Sequence, residues 1–166
     1  MAVAAKISLE EYLNTSYRPD CDYVDGEVQE RNLGEQSHSR LQFRIVFWLG
    51  SRERQFRFRV LPECRLQVRK DRFRIPDIML IPVEAAGERI VRTPPLLCIE
   101  IMSPGDTPAR IRERAQDYFA TGAPVCWIID PISGQAWTAT TAGLTEPTDG
   151  VLRAGDIEMP LREVLE

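Results

Sequence analysis

The sequence predicts an α/β fold: a mixed β-sheet flanked by α-helices, entered through an N-terminal helix and a β-hairpin. Three observations carry this. The apolar run LLCIEIM, a helical stretch over 107–121 and the apolar run VCWIID follow one another as strand, crossover helix and parallel strand. The segment FRFRVLPECRLQVRKDRFRIPDIMLI alternates apolar and basic residues with a period of two, as antiparallel strands do. Between Gln36 and Arg54 the apolar residues instead recur at helical spacing.

The elements follow in chain order. Ser8-Leu9-Glu10-Glu11 forms a capping box, in which hydroxyl and carboxylate satisfy backbone N–H groups at the start of a short helix ending near Asn14. In YVDGEVQE the pair Asp25-Gly26 separates two short alternating segments, a hairpin signal because both residues tolerate positive φ. Leu41, Ile45, Trp48 and Leu49 make one stripe of a long helix, with Val46 beside them. The period-two stretch is broken at Lys70-Asp71, which predicts two antiparallel strands and a tight turn. VEAAGERIVRTPP reads as a loop.

LLCIEIM is apolar almost throughout, as a strand covered on both faces must be. Thr107 is a good N-cap with Pro108 at the first helical position, and Gly122 and Pro124 stop the helix. VCWIID is a second buried strand, ended by Pro131. QAWTATT and the Asp149-Gly150 turn give peripheral strands before a short C-terminal helix. No repeat, linker or low-complexity segment divides the chain, so one domain over residues 1–166 is expected.

Composition narrows the classes. The chain is 43% hydrophobic and 28% charged, ordinary globular values. It contains no run of eighteen apolar residues and no signal-peptide core, so a cytoplasmic address without membrane contact is expected. Asn14-Thr15-Ser16 is then a chance sequon. Cys21, Cys64, Cys98 and Cys126 lack C-x-x-C spacing and read as small core residues rather than zinc ligands. A net charge of −4 argues against coating nucleic acid by bulk charge. Local clusters soften that: nine Lys and Arg residues fall between Arg52 and Arg74, and Arg110, Arg112 and Arg114 share a predicted helix. These are either solvated faces or a grip on phosphates.

Two carboxylates stand where apolar residues belong. Asp77 shares a strand face with Ile75, Met79 and Ile81, and Glu100 with Leu96, Cys98 and Met102. Burying an ionised carboxylate without a partner costs several kcal/mol. Two facing one site would repel by roughly 4 kcal/mol at ~4 Å and an effective dielectric near 20. A divalent cation between them removes both penalties. An arginine such as Arg74 or Arg114 could also neutralise one of them in a structural pair. Pro-Asp also occurs at Pro19-Asp20, and Glu100 could be an edge residue facing water, so neither acid is diagnostic alone.

The order EYLNTSYRPDCDYVDGEV, a helix from near His38, RFRIPDIML, LLCIEIMSP and DYFATGAPVCWIIDP resembles the Uma-two family, a restriction-endonuclease-like branch of the PD-(D/E)XK nucleases. The resemblance runs from about Leu9 to Leu165. It implies a restriction-endonuclease-like sheet and metal-dependent hydrolysis of DNA. Asp77 and Glu100 match the acidic pair that binds Mg²⁺ or Mn²⁺, with the Ile101 carbonyl as third ligand. His38 matches a first-helix histidine, and Glu35 lies one turn before it; either would orient water or approach a phosphate. His38 could equally be an exposed helix residue.

The lysine of the superfamily would fall at Met102. Within the family it often migrates to the next helix, where this chain has Arg114, one turn before Tyr118. Arginine stabilises phosphate charge but keeps its proton. Arg114 could also simply pair with Glu100 or with surface acids. Arg65 and Arg74 on the basic strands, with Tyr118, are the remaining groups expected to face substrate. Exposed hairpins and stray apolar residues on the long helix suggest a homodimer. The alternatives are a non-catalytic nucleic-acid-binding or protein-interaction module, and a structural homodimer whose acids are neutralised by Arg74 or Arg114.

Overall fold

A computed structural model describes residues 6–32 and 34–165. Helix α1 (Leu9–Asn14) opens on the Ser8 cap, whose Oγ accepts from the Glu11 N–H at 3.1 Å. Strands β1 (Asp22–Val24) and β2 (Glu27–Gln29) form the expected hairpin, with φ of +52° at Asp25 and +95° at Gly26. Helix α2 (Gln36–Gly50) ends four residues short of Arg54, and a single turn, α3 (Glu53–Phe56), follows.

The period-two segment forms four strands rather than two: β3 (Phe58–Pro62), β4 (Leu66–Arg69), β5 (Arg72–Arg74) and β6 (Ile78–Pro82). The Lys70-Asp71 turn does join β4 to β5, but β3 pairs with β6 in a different sheet. Periodicity shows which face a residue takes and is blind to which strand it pairs with. The chain leaves β3 at Pro62, which has no N–H to donate, and Glu63 turns it with a φ of +48°.

The remaining elements are β7 (Leu97–Ile101), α4 (Pro108–Ala120), β8 (Cys126–Ile129), β9 (Ala136–Thr140), β10 (Gly143–Thr145), β11 (Val151–Ala154) and β12 (Ile157–Pro160). Thr107 caps α4, its side chain accepting from the Arg110 N–H. The loop after β6 contains one 3₁₀ turn (Val83–Ala85), and the expected C-terminal helix is a 3₁₀ turn at Leu161–Glu163.

The central sheet is mixed and six-stranded, in the order β10-β9-β8-β7-β6-β3; only β7 and β8 are parallel, joined through α4. Its strands alternate cleanly between two cores. Leu97, Ile99 and Ile101 pack with Leu41, Ile45 and Leu49 of α2. Cys98 packs with Ile111, Ala115 and Tyr118 of α4 on the opposite face. A smaller sheet, β2-β1-β5-β4, covers a third cluster of Tyr12, Tyr23 and Phe73.

A buried ionic network ties this small sheet to α4. Arg74 is 2% exposed. Its guanidinium donates to Asp22 at 3.0 Å, Asp117 at 2.7 Å and Glu113 at 2.9 Å. Arg72 adds bonds to Asp117 and Asp25. Arg74→Ala leaves Asp22 and Asp117 buried without their shared cation, a loss of about 3–5 kcal/mol. Urea unfolding checks this; a change below about 1 kcal/mol would show the network to be incidental.

Candidate active site

Asp77 lies in the bend just before β6, 4% exposed. Its backbone carbonyl accepts from the Gln42 side chain at 3.0 Å and from the Glu63 N–H at 3.2 Å, which fixes the bend between α2 and the chain leaving β3. Its Oδ1 accepts from Arg31 Nη2 at 2.6 Å. Its Oδ2 accepts from the Ile101 N–H at 2.7 Å and stands 3.2 Å from His38 Nε2. His38 projects from the first turn of α2 and is 8% exposed, so it is a buried partner of Asp77 and not an exposed helix residue.

Glu100 sits one residue before that N–H, on β7, facing α4, and is 2% exposed. Its Oε2 accepts from Arg114 Nη1 at 3.1 Å, and its Oε1 from the Tyr118 hydroxyl. Arg114 and Tyr118 are one turn apart on α4, so one face of that helix brings both to the acid. The structural pairing of Glu100 with Arg114 is therefore present. Arg74 takes no part in it.

The electrostatics of the two acids diverge. Burial alone would raise the Asp77 pKa, but the His38 hydrogen bond, the Arg31 charge and the Ile101 N–H outweigh it and hold the carboxyl below its ordinary range. Burial pushes Glu100 up to about 7; Arg114 and Tyr118 pull against it, while the Asp77 charge adds to it. Burial would lower His38, yet its hydrogen bond to Asp77 and that carboxylate's charge leave it raised.

A cleft of ≈ 70 Å³ opens beside these groups, walled by Arg31, His38, Asp77, Ile101, Asp106 and Arg114. Glu100 is not on its wall; Arg114 is, and holds it from there. Two wall residues were invisible to pattern reading. Arg31 comes from the irregular stretch after β2, where no periodicity exists to mark it. Asp106 precedes the α4 cap. Its Oδ2 accepts from the Ser103 N–H at 2.9 Å, and its buried Oδ1 has no hydrogen-bond partner, with Arg114 Nη1 3.8 Å away. An acid just ahead of a Thr-Pro helix start is the one signal that could have raised it.

The donor set suits a hard divalent cation. Carboxylate oxygens of Asp77, Glu100 and Asp106 are the ligand class such ions take, and the orphaned Asp106 Oδ1 is a buried acceptor awaiting a partner. Among the described residues, no three His, Cys, Asp or Glu side chains stand close enough to hold an ion by themselves. Remaining positions would fall to a backbone carbonyl, water or substrate oxygen, the usual habit of Mg²⁺.

The structure does not bring Arg65, Arg74 or Glu35 to this cleft. Arg65 forms a two-pronged pair with Asp20, at 2.6 and 2.7 Å, and stacks over Tyr12. Arg74 is consumed in the network described above. The expectation that Arg65 and Arg74 grip a phosphate backbone is corrected accordingly: both guanidinium groups are paired inside the molecule. Glu35 flanks α2 without a side-chain cap bond, and lines an adjoining depression with His38 and Asp106.

The mixed sheet, with Asp77 buried in the bend before β6 and Glu100 on the neighbouring β7, is of the restriction-endonuclease-like class. The chain belongs to the Uma2 family, whose model, described as "Putative restriction endonuclease", matches residues 9–153. A crystal structure described as "a putative nuclease belonging to DUF820", from Anabaena variabilis ATCC 29413, is similar with a TM-score of 0.82. That match covers 96% of this chain and 97% of the other at 19% identity, a likeness of fold. No match is found among curated proteins. No helix among the described residues is long and apolar enough to cross a membrane.

The pKa of Glu100 has a consequence for stability in metal-free protein. A carboxyl that binds its proton more tightly when folded contributes stability that is complete below its ordinary pKa, near 4.3, and lost as pH rises through about 7. His38, also raised, contributes with the same sign. Stability should therefore fall between pH 5 and 8, by on the order of 1–3 kcal/mol from Glu100. Glu100→Gln should flatten that slope. Urea titrations in EDTA check it, and parallel slopes for the two proteins would contradict it.

Proposed function

We propose that this protein is a metal-dependent nuclease that hydrolyses DNA phosphodiester bonds at the Asp77 cleft. One observation carries the reading: the Ile101 N–H bonds Asp77 in the bend before β6, and the residue preceding Ile101 on β7 is the buried Glu100, so two buried acids lie close together at a polar cleft. A core with no task there would favour apolar residues of similar volume.

Asp77, Glu100 and the Ile101 carbonyl would hold Mg²⁺ or Mn²⁺, which when bound would lower the pKa of an attacking water and offset phosphate charge. The protein's own groups divide the rest. Arg31 and Arg114 stay charged at any working pH and complement a phosphate oxygen at the cleft wall. His38 Nε2, in contact with Asp77 Oδ2, can take up or release a proton beside that wall. Position 102, where the superfamily has its lysine, holds Met102, part of the apolar packing toward α4 and unable to move a proton.

A plasmid-nicking assay with Mg²⁺ or Mn²⁺ tests the reading. Wild type should cut, and Asp77→Ala should lose about two orders of magnitude or more. Equal cutting by both preparations would mark a contaminant and overturn it.

A second reading is favoured by a specific observation. Every oxygen of Asp77 and Glu100 already accepts from a protein donor, with one guanidinium to each acid. A nuclease fold used only to bind nucleic acid would be neutralised in this way. Salt-sensitive DNA binding without metal-dependent cleavage would decide for it.

A further inference from the structure

The outer face of α2 carries two phenylalanines that nothing in the described structure covers. Phe43 is 64% exposed and Phe47 70%. They lie one turn apart with ring centroids 6.3 Å from each other and planes 24° apart, so they present a pair of stacked rings to solvent. Beside them runs a groove of ≈ 680 Å³ whose wall includes Arg40, Arg44, Trp48 and, from the C-terminal turn, Arg162. The one carboxylate on that wall, Glu163, is engaged: its Oε2 accepts from Trp48 Nε1 at 2.5 Å. The groove thus joins aromatic faces to an excess of positive charge on a chain that is acidic overall.

We propose that this face is a docking surface for single-stranded nucleic acid, with unpaired bases stacking on Phe43 and Phe47 and phosphates meeting Arg40 and Arg162. The proposal rests on the nuclease reading above and names the form of substrate it would hold. Stacking with flanking cations is how single strands are bound without sequence preference, whereas a duplex keeps its base faces hidden. Arg65, Arg72 and Arg74 do not serve as the grip, because each is paired internally. The same helix delivers His38 to the cleft, and Phe43 and Phe47 lie about 8 and 14 Å further along its axis. Charge argues against a second copy as the occupant. Two such faces brought together would oppose Arg40 and Arg162 of each copy, an excess of positive charge that the single Glu163 on each wall does not balance.

The test uses the full chain in EDTA, with fluorescence anisotropy of a labelled twenty-residue oligo(dT) and a duplex of equal length. Wild type should prefer the single strand. Phe43→Ala/Phe47→Ala should weaken that binding tenfold or more, since both stacking faces are lost. Arg40→Ala/Arg162→Ala should weaken it and reduce its salt dependence. Substitutions at exposed positions should leave the melting temperature nearly unchanged. Strand affinity unaltered in the Phe variant overturns the proposal. So does light scattering that shows a wild-type dimer and a monomeric Phe variant with equal affinity for the strand, which would assign the face to self-association. If that Phe variant still nicks plasmid with Mg²⁺ or Mn²⁺, the nuclease reading survives the loss of this one. If wild type neither binds nor cuts nucleic acid, both fall.

Discussion

The arrangement of this molecule turns on neutralising two carboxylates inside a β-sheet. Asp77 and Glu100 are almost fully buried, and neither can be ionised there without donors on its oxygens. What surrounds them follows from that need. Arg31 reaches in from the stretch after β2, His38 from the start of α2, and Arg114 and Tyr118 from α4. The Ile101 N–H joins the bend at Asp77 directly to the end of β7. Elements far apart in sequence are thereby pinned to one point, and the cleft exists because they meet there.

The same economy explains the acidic balance of a chain with so many arginines. Arg65, Arg72 and Arg74 look like a basic surface when written out, yet each is matched to acids from other elements. Their role is to clamp the small sheet to α1 and α4. Positive charge facing solvent is found elsewhere, on Arg40 and Arg162 beside the groove along the outside of α2.

Much of this was legible in the sequence where local rules dominate. The Asp25-Gly26 turn, the Ser8 and Thr107 caps and the parallel pair flanking α4 each follow from backbone preference or strand burial. Asp77 and Glu100 stood out as breaks in apolar rows, and their burial has the same origin. Partner choice was not legible. Alternation could not reveal that β3 and β4, separated by three residues, enter different sheets. Nor could it show that His38 would be buried or that Arg74 would face three acids. Arg31 lies outside any periodic element, and Asp106 was overshadowed by the capping residue beside it. Long-range pairing of charges is set by the tertiary fold, which local pattern does not encode.

The groups that hold Glu100 come from successive turns of a single helix. A rotation or shift of α4 that moves Arg114 also moves Tyr118, so the two contacts cannot be adjusted independently. The protonation of that acid is therefore geared to the seating of an entire helix, and residue changes on the far side of α4 can retune it without coming near it.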